Sequence, residues 1–262
     1  MSLNDRKINS LLGDLSQNLQ LLVYKTIDST NTAAKNLGDS GLSKRAVLIA
    51  SEQTAGRGRL GRSFSSNDGK GLYLSILLGE ELPADFATSL TTYMAVVASM
   101  AIDSLSGLNT SIKWVNDIYE GGKKLAGILT EGKAKCEGVL SYAVVGIGIN
   151  LLKQDFPDDV KAIATTVEDA SGKQIDINEL AALIIKTFFD NLHLVGTKEL
   201  ADEYRKRSFL IGAKVNVIKP TTVYEATVTA ITDKCELVLS LEGGGVEILS
   251  TGEVSVRAIQ HH

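Results

Sequence analysis

The sequence predicts an α+β protein, a larger domain of strands and helices followed by a small all-β unit. Three observations carry this expectation. Short β-like apolar runs at 46–50 and 72–78 flank a loop rich in glycine and arginine. Long stretches with helical apolar spacing lie further on, at 86–105 and 178–194. Past residue 210 the texture changes to five short alternating segments separated by glycines and polar turns, the pattern of a small barrel. The expected division is an N-terminal extension over 1–22, the larger domain over 23–209, the β-barrel over 210–259 and a tail at 260–262.

Each element has a local reason. Residues 3–22 read as a short amphipathic helix with an irregular exit, too short for a winged helix or a helix-turn-helix unit. Residues 21–27 read as a strand, and Asp28, Ser29 and Thr30 are candidate N-caps for a helix at 31–37. A loop is expected at 38–44. Pro83 and Asp85 open the helix at 86–105, whose Leu90, Tyr93, Met94, Val97, Ala101 and Leu105 form a buried face. Residues 111–119 and 125–130 read as two strands joined by a turn at Glu120, Gly121, Gly122 and Lys123. Residues 139–150 read as a buried strand, in which Gly146 and Gly148 permit close approach of backbone or ligand. The stretch 155–172 is irregular with room for one short helix, and helices follow at 178–194 and 197–209.

Composition narrows the chemistry. The chain has 262 residues, 44% hydrophobic and 22% charged, with a formal net charge of −4 at pH 7. That balance argues against broad nucleic-acid binding. No apolar run approaches about 20 residues, so no transmembrane helix is expected, and the N-terminus lacks a signal-peptide core. Cys136 and Cys235 are far apart and have no metal-ligand spacing, which fits two unpaired thiols in a reducing cytoplasm. Of three histidines, His193 reads as a structural residue. His261 and His262 are set aside as a candidate tag remnant, as is the opening Met-Ser-Leu as a vector scar. A Ser-His-Asp triad or a His-rich zinc site has almost no material. Chemistry must come from Arg, Lys, Asn, Asp and backbone groups.

The loop between the first two apolar runs holds Gly56, Gly58 and Gly61 alternating with Arg57, Arg59 and Arg62. Guanidinium groups beside freely bending backbone suit an anion. The glycines also fit G-x-G-x-x-G, but that dinucleotide fingerprint needs a helix immediately after it. Here a run of turn formers at 63–71 leads into a strand, so the dinucleotide reading is rejected. On the hairpin at 111–130, Lys113, Asn116, Asp117 and Lys124 sit among apolar residues. Each alone is compatible with a solvated strand, and together they fit the lining of a polyanion site.

These segments carry a specific resemblance. EQTAGRGRLGR (52–62) resembles the signature of biotin–protein ligases, which adenylate biotin and attach it to a carrier-protein lysine. IDSTN (27–31), KWVNDIY (113–119), KKLAGIL (123–129) and GIGIN (146–150) resemble the same family in the same order. The resemblance implies a catalytic domain like that of class II aminoacyl-tRNA synthetases and of biotin and lipoate ligases, a mixed sheet with flanking helices. It also implies an SH3-like C-terminal barrel. The implied substrates are biotin and ATP, with Mg²⁺, giving biotinoyl-AMP and pyrophosphate. The biotinoyl group then passes to a lysine of a biotin carboxyl carrier domain of a biotin-dependent carboxylase.

Residue by residue, the resemblance gives Ser29, Thr30, Asn31 and Gln53 to the biotin head group, an amide suiting a ureido ring that both donates and accepts. Gly56, Arg57, Gly58, Arg59, Lys124, Gly127, Gly146 and Gly148 complete the biotin site. Arg59, Arg62, Phe64, Lys113, Asn116 and Asp117 form the ATP site, with Asp117 as the candidate Mg²⁺ ligand. Arg57, Lys113 and Lys124 carry catalysis. Val115 stands where the family usually has Pro, and Phe64 where many members have Trp. The expected setting is cytoplasmic, without DNA or membrane partners, and the family allows a homodimer. The rival readings are a lipoate– or octanoate–protein ligase and a non-catalytic biotin-binding regulatory module.

Overall fold

The computed structural model describes residues 2–41, 45–61, 69–219, 221–250 and 255–258. In chain order come α1 (Asp5–Leu12), a 3-10 turn (Gly13–Asn18), β1 (Gln20–Ile27), α2 (Thr30–Asp39), β2 (Ala46–Gln53), β3 (Gly71–Leu78) and the two-residue β4 (Leu82–Pro83). They are followed by α3 (Ala84–Ser106), β5 (Ser111–Lys113), β6 (Asp117–Glu120), β7 (Lys123–Cys136), β8 (Val139–Asn150), α4 (Asp158–Lys161), α5 (Val167–Ser171), α6 (Ile177–Asp190) and α7 (Lys198–Arg207). The chain ends in β9 (Lys214–Ile218), β10 (Val223–Ile231), β11 (Leu237–Leu241), β12 (Val246–Leu249) and β13 (Ser255–Ala258).

The first eight strands form one mixed sheet, ordered β1-β2-β3-β8-β7-β6-β5, with β4 beside β8. β1 and β2 run parallel, joined through α2, and the other neighbours are antiparallel. Strand residues alternate between two faces. On one face Val47, Ile49, Leu72, Leu74, Ile76, Val145, Ile147 and Ile128 enter the main core with α3 and α6. On the other, Ala46, Leu48, Leu77 and Val144 pack with Ala34 of α2. Both faces are covered only where α2 lies, and that difference sets where the site opens.

Helix α3 spans 23 residues and is long and apolar enough to cross a membrane by length and composition alone. Residue-by-residue scanning for an unbroken apolar run misses this because Thr and Ser punctuate it. Leu90, Tyr93, Met94, Val97 and Ala101 are buried and Leu105 is partly buried, so its apolar surface is spent on the core. The N-terminal extension is tied down as well. Ile8 and Leu12 of α1 are buried, and Lys7 reaches Asp176, the N-cap of α6, at 2.6 Å. The backbone N–H of Asn4 donates to Asn178 at 2.7 Å.

The expected strand at 111–119 is corrected to two, β5 and β6, with a turn at 114–116 that sets Lys113 opposite Asp117. The segment has neither Gly nor Pro, so its apolar text reads as continuous. The peptide between Trp114 and Val115 is cis. The next turn behaves as expected. Gly121 and Gly122 have φ of 54° and 76°, which a two-residue hairpin turn of this hand requires. The irregular stretch before α6 holds two short helices, α4 and α5, rather than one.

The last five strands form a separate antiparallel sheet, ordered β12-β11-β10-β9-β13, a small unit of the SH3-like kind. It meets the larger domain at the turn 114–116 and along α7, where Arg205 Nε donates to the Ile231 carbonyl at 2.7 Å. Trp114 Nε1 donates to the carbonyl of Cys235 at 2.8 Å, and the Tyr204 hydroxyl of α7 donates to the carbonyl of Val115 at 3.2 Å. Both bonds are buried, and burial pushes the Tyr204 hydroxyl well above its ordinary pKa. Cys235 is buried and Cys136 exposed, and both are free thiols. His193 is exposed on a 3-10 turn.

Candidate functional site

The site lies where the α2 face of the sheet runs out of side chains. Register places Tyr73, Gly148, Gly127, Asp117 and Lys113 in one row across five strands. The next row holds Ser75, Gly146 and Leu129, and the one after it Leu77, Val144 and Glu131. Bulky residues in the last row pack under α2. The glycines and serine in the first two leave a hollow. The resulting cleft is lined by Ser29, Thr30, Asn31, Gln53, Arg57, Gly127, Leu129, Gly146, Ile147 and Gly148. Its empty space, open mouth included, is about 310 Å³.

Its walls are built by hydrogen bonds. Ser29 caps α2 by accepting from Thr32 N–H. The Gln53 amide oxygen accepts from Thr30 N–H at 2.9 Å and lies 3.1 Å from the Thr30 hydroxyl. Ser75, fully buried, lies 2.7 Å from both the Thr30 hydroxyl and Asn31 Oδ1. Asn31 Oδ1 can only accept, so Ser75 donates there and Thr30 must choose between Gln53 and Ser75. Asn31 Nδ2 donates to the Leu129 carbonyl at 3.2 Å and to Glu131 at 3.1 Å. Gly146 makes room for this amide, since a Cβ there would stand 1.9 Å from Asn31 Oδ1. At this position the close approach that glycine permits is that of a neighbouring side chain.

The row continues into charge. Arg59 Nη1 donates to Asn116 Oδ1 at 3.0 Å. Asn116 Nδ2 donates to Asp117 at 3.0 Å and to the Ile128 carbonyl at 3.0 Å. Lys124 Nζ meets Asp117 at 2.7 Å. Burial lowers the pKa of Arg59, opposed by the nearby Asp117 charge. Lys113 lies opposite Asp117, its ammonium 5.6 Å from the centre of the Tyr119 ring. Arg57 pairs with Glu131 at 3.3 Å, and Glu131 also takes Lys35 at 2.8 Å. Burial by itself raises the Glu131 pKa, but hydrogen bonds from Lys35 and Asn31 and the Arg57 charge outweigh it and bring the carboxyl below its ordinary value.

Of the residues expected from sequence, Ser29, Thr30, Asn31, Gln53, Arg57, Gly127, Gly146 and Gly148 line the cleft. Arg59, Asn116, Asp117 and Lys124 form the adjoining charged cluster, with Lys113 at its edge. Gly56 and Gly58 are half-buried between the two groups in sequence. Arg62 and Phe64 lie outside the described residues. Ser75, Leu129, Lys35 and Glu131 were not foreseen. Ser75 could have been noticed as the lone polar residue of an otherwise apolar strand. Glu131 follows Gly127 and Leu129 at period two. Among the described residues no three His, Cys, Asp or Glu converge as a metal cage. A second cleft, of about 560 Å³ with its mouth, lies between β7 and α3 and meets the first at Leu129.

Residues 23–150 match the model of the biotin/lipoate A/B protein ligase family, and residues 210–257 that of the biotin protein ligase C-terminal domain. The fold and cleft are thus those of the biotin/lipoate A/B protein ligase family. The chain is 31% identical over 261 residues to the biotin–[acetyl-CoA-carboxylase] ligase of Mycobacterium tuberculosis, covering 96% of this chain and 95% of the relative. It is 41% identical over 160 residues to the bifunctional ligase/repressor BirA of Bacillus spizizenii, covering 60% of this chain and 49% of the relative. The chain thus spans about half the length of that relative and of its Bacillus subtilis counterpart. Among solved structures, the biotin protein ligase of Aquifex aeolicus in complex with biotin and ATP superposes with a TM-score of 0.76. It is 28% identical, covering 92% of this chain and 99% of that one. The chain belongs to the biotin–protein ligase family.

Proposed function

We propose that this chain is an ATP-dependent biotin–protein ligase, forming biotinoyl-5′-AMP and passing biotin to a lysine of a biotin carboxyl carrier domain. One observation carries the reading. Gly148 and Gly127 of the cleft floor and the charged pair Asp117 and Lys113 lie in a single row of the sheet. A ligand seated on the glycines therefore has its far end at the cations. That is the geometry for joining two anions, a carboxylate and an α-phosphate, without an enzyme nucleophile.

In this reading Ser29, Thr30, Asn31 and Gln53 hold the head group of biotin, and Gly127, Gly146 and Gly148 form the floor. Gly56 and Gly58 let the backbone carrying Arg57 and Arg59 approach the carboxylate and the adenylate. Lys113 and Lys124 neutralise the α-phosphate region, and Asn116 and Asp117 orient the nucleotide. Arg62 and Phe64 are assigned to ATP on the resemblance alone. Mg²⁺ borne on the triphosphate would supply charge neutralisation, and Asp117, whose carboxylate pairs with Lys124 at 2.7 Å, is the residue of this set that would hold it. The carboxylate attacks the α-phosphorus and pyrophosphate leaves. The acceptor lysine amine then attacks the acyl carbon and AMP leaves.

The division into 1–22, 23–209 and 210–259 is part of the same reading, as is a cytoplasmic setting, which two free thiols favour. A homodimer is tested by sedimentation with and without biotin and ATP. The decisive experiment offers the pure protein ATP, Mg²⁺ and equimolar biotin, lipoate and octanoate, and identifies the acyl-AMP by mass spectrometry. Biotinoyl-AMP alone is the expected product. Lipoyl- or octanoyl-AMP refutes the substrate assignment, and biotin binding without any adenylate refutes the ligase.

A further inference from the structure

We propose that Glu131 is an internal stand-in for the substrate carboxylate, holding Arg57 at the mouth of the cleft until an acid displaces it. This rests on the reading above, in which Arg57 meets the acid group of biotin. Glu131 belongs to none of the sequence motifs, yet its carboxylate gathers three donors, two from α2 and one from the glycine–arginine loop. Asn31 Nδ2 stands at 3.1 Å, Lys35 Nζ at 2.8 Å and Arg57 Nη1 at 3.3 Å.

The three donors are not equally fixed. Asn31 is 5% exposed and pinned by Ser75, by the Leu129 carbonyl and by the space at Gly146. The Glu131 side chain is 16% exposed, whereas that of Arg57 is 48% exposed and lines the cleft. The carboxylate is therefore built into the wall, and Arg57 is the partner free to move. Lys35 and Arg57 also share one oxygen, Glu131 Oε1. A ligand carboxylate in the cleft offers Arg57 the same kind of acceptor that Glu131 supplies.

Binding then becomes an exchange of one carboxylate for another, and the affinity for the acid is a difference between two pairings. The direction follows. Weakening the hold of Glu131 on Arg57 tightens biotin, and strengthening it weakens biotin. A carboxylate that merely preorganised Arg57 gives the opposite sign. A half-exposed ion pair is worth about 0.2–1 kcal/mol, so the change is at most about fivefold.

Two variants and two readouts test this. Glu131→Gln removes the charge while keeping the shape, and Lys35→Met removes the cation that competes for Oε1. Biotin titrated calorimetrically without ATP should bind about two- to fivefold tighter to Glu131→Gln and weaker to Lys35→Met. The Glu131→Gln gain should vanish in an Arg57→Ala background, because the coupling runs through that guanidinium. Without any ligand, trypsin cleavage after Arg57, followed by mass spectrometry, should speed up about two- to fivefold in Glu131→Gln and slow in Lys35→Met. Weaker biotin binding by Glu131→Gln overturns the proposal, as does an unchanged affinity with an unchanged cleavage rate. Wild-type protein that binds no biotin while the cleavage rates shift as stated supports the tether and refutes the biotin-ligase reading.

Discussion

Gly146→Ala places one methyl group against the best-anchored side chain of the site. The added Cβ would stand 1.9 Å from Asn31 Oδ1, 2.8 Å from its Cγ and 3.1 Å from Ser75 Oγ. Gly146 sits in a strand paired on both sides, with Ser75 and Leu129 as its neighbours, so the backbone has little room to shift. Asn31 must turn away. Doing so breaks the bonds from Ser75, to the Leu129 carbonyl and to Glu131. Neutral bonds contribute about 0.5–1.5 kcal/mol each and one to a charged group about 1.5–3 kcal/mol, a total of roughly 3–6 kcal/mol. Overpacking with partial relaxation costs about 1–3 kcal/mol. The two ranges meet near 3 kcal/mol, or roughly 6–12 °C in Tm for a chain of this size. Urea denaturation and biotin titration measure both consequences. Asn31→Ala removes the obstacle, so the double variant should be more stable than the sum of the two single losses by more than about 1 kcal/mol. A Gly146→Ala protein within about 0.5 kcal/mol of wild type, with unchanged biotin affinity, would refute the reasoning.

Three further outcomes are expected. Arg57→Ala should release biotinoyl-AMP faster, by about tenfold if a hydrogen bond to a charged group is lost; unchanged dissociation of the intermediate counts against the role. Lys124→Ala should lower the adenylation rate by at least about a hundredfold, the scale of a lost transition-state donor, while the melting temperature stays near wild type because the Lys124–Asp117 pair is partly exposed. Wild-type rates in the folded variant would sink the assignment. Asp176→Asn should cost about 1 kcal/mol near neutral pH, after allowing for solvent around the pair with Lys7. Burial alone would raise the Asp176 pKa, but hydrogen bonds from Lys7 and Asn178 bring it down to about 2 from 3.8. The stabilisation is therefore present above pH 3.8 and fades as the pH falls through 2, so the difference between wild type and variant should close over that window in pH-dependent melts.

The elements most legible in sequence were those whose cause is local. Ser29 announces the start of α2, Gly121 and Gly122 announce their turn, and apolar spacing announces α3 and α6. The break between β5 and β6 was not legible, because its reversal falls inside KWVND, where neither Gly nor Pro marks it and Asn116 and Asp117 read as site residues rather than as turn formers. Nor was the length of β7, which runs through the polar TEGKAKC because β8 pairs with it from Ala126 to Cys136. The cleft shows the same division. Most of the predicted residues that the structure describes fall at the cleft or its charged neighbour, since the motif is itself a local pattern. Ser75, Lys35 and Glu131 come from three separate elements and meet through strand register and the first turns of α2. No window of sequence contains that meeting.

The buried junction at Trp114 has a consequence for how this family can be rebuilt. The turn that presents Asn116 is gripped from behind by the carbonyl of Cys235 on one side and the hydroxyl of Tyr204 on the other. Exchanging the terminal sheet for that of a relative is therefore not a neutral graft. A foreign sheet that offers no carbonyl at the place of Cys235 leaves an indole N–H stranded behind the turn, and the loss arrives at the neighbouring residue Asn116. Chimaeras should be cut so that Trp114, Tyr204 and the segment around Cys235 travel together, as one inherited unit that the domain boundary runs straight across.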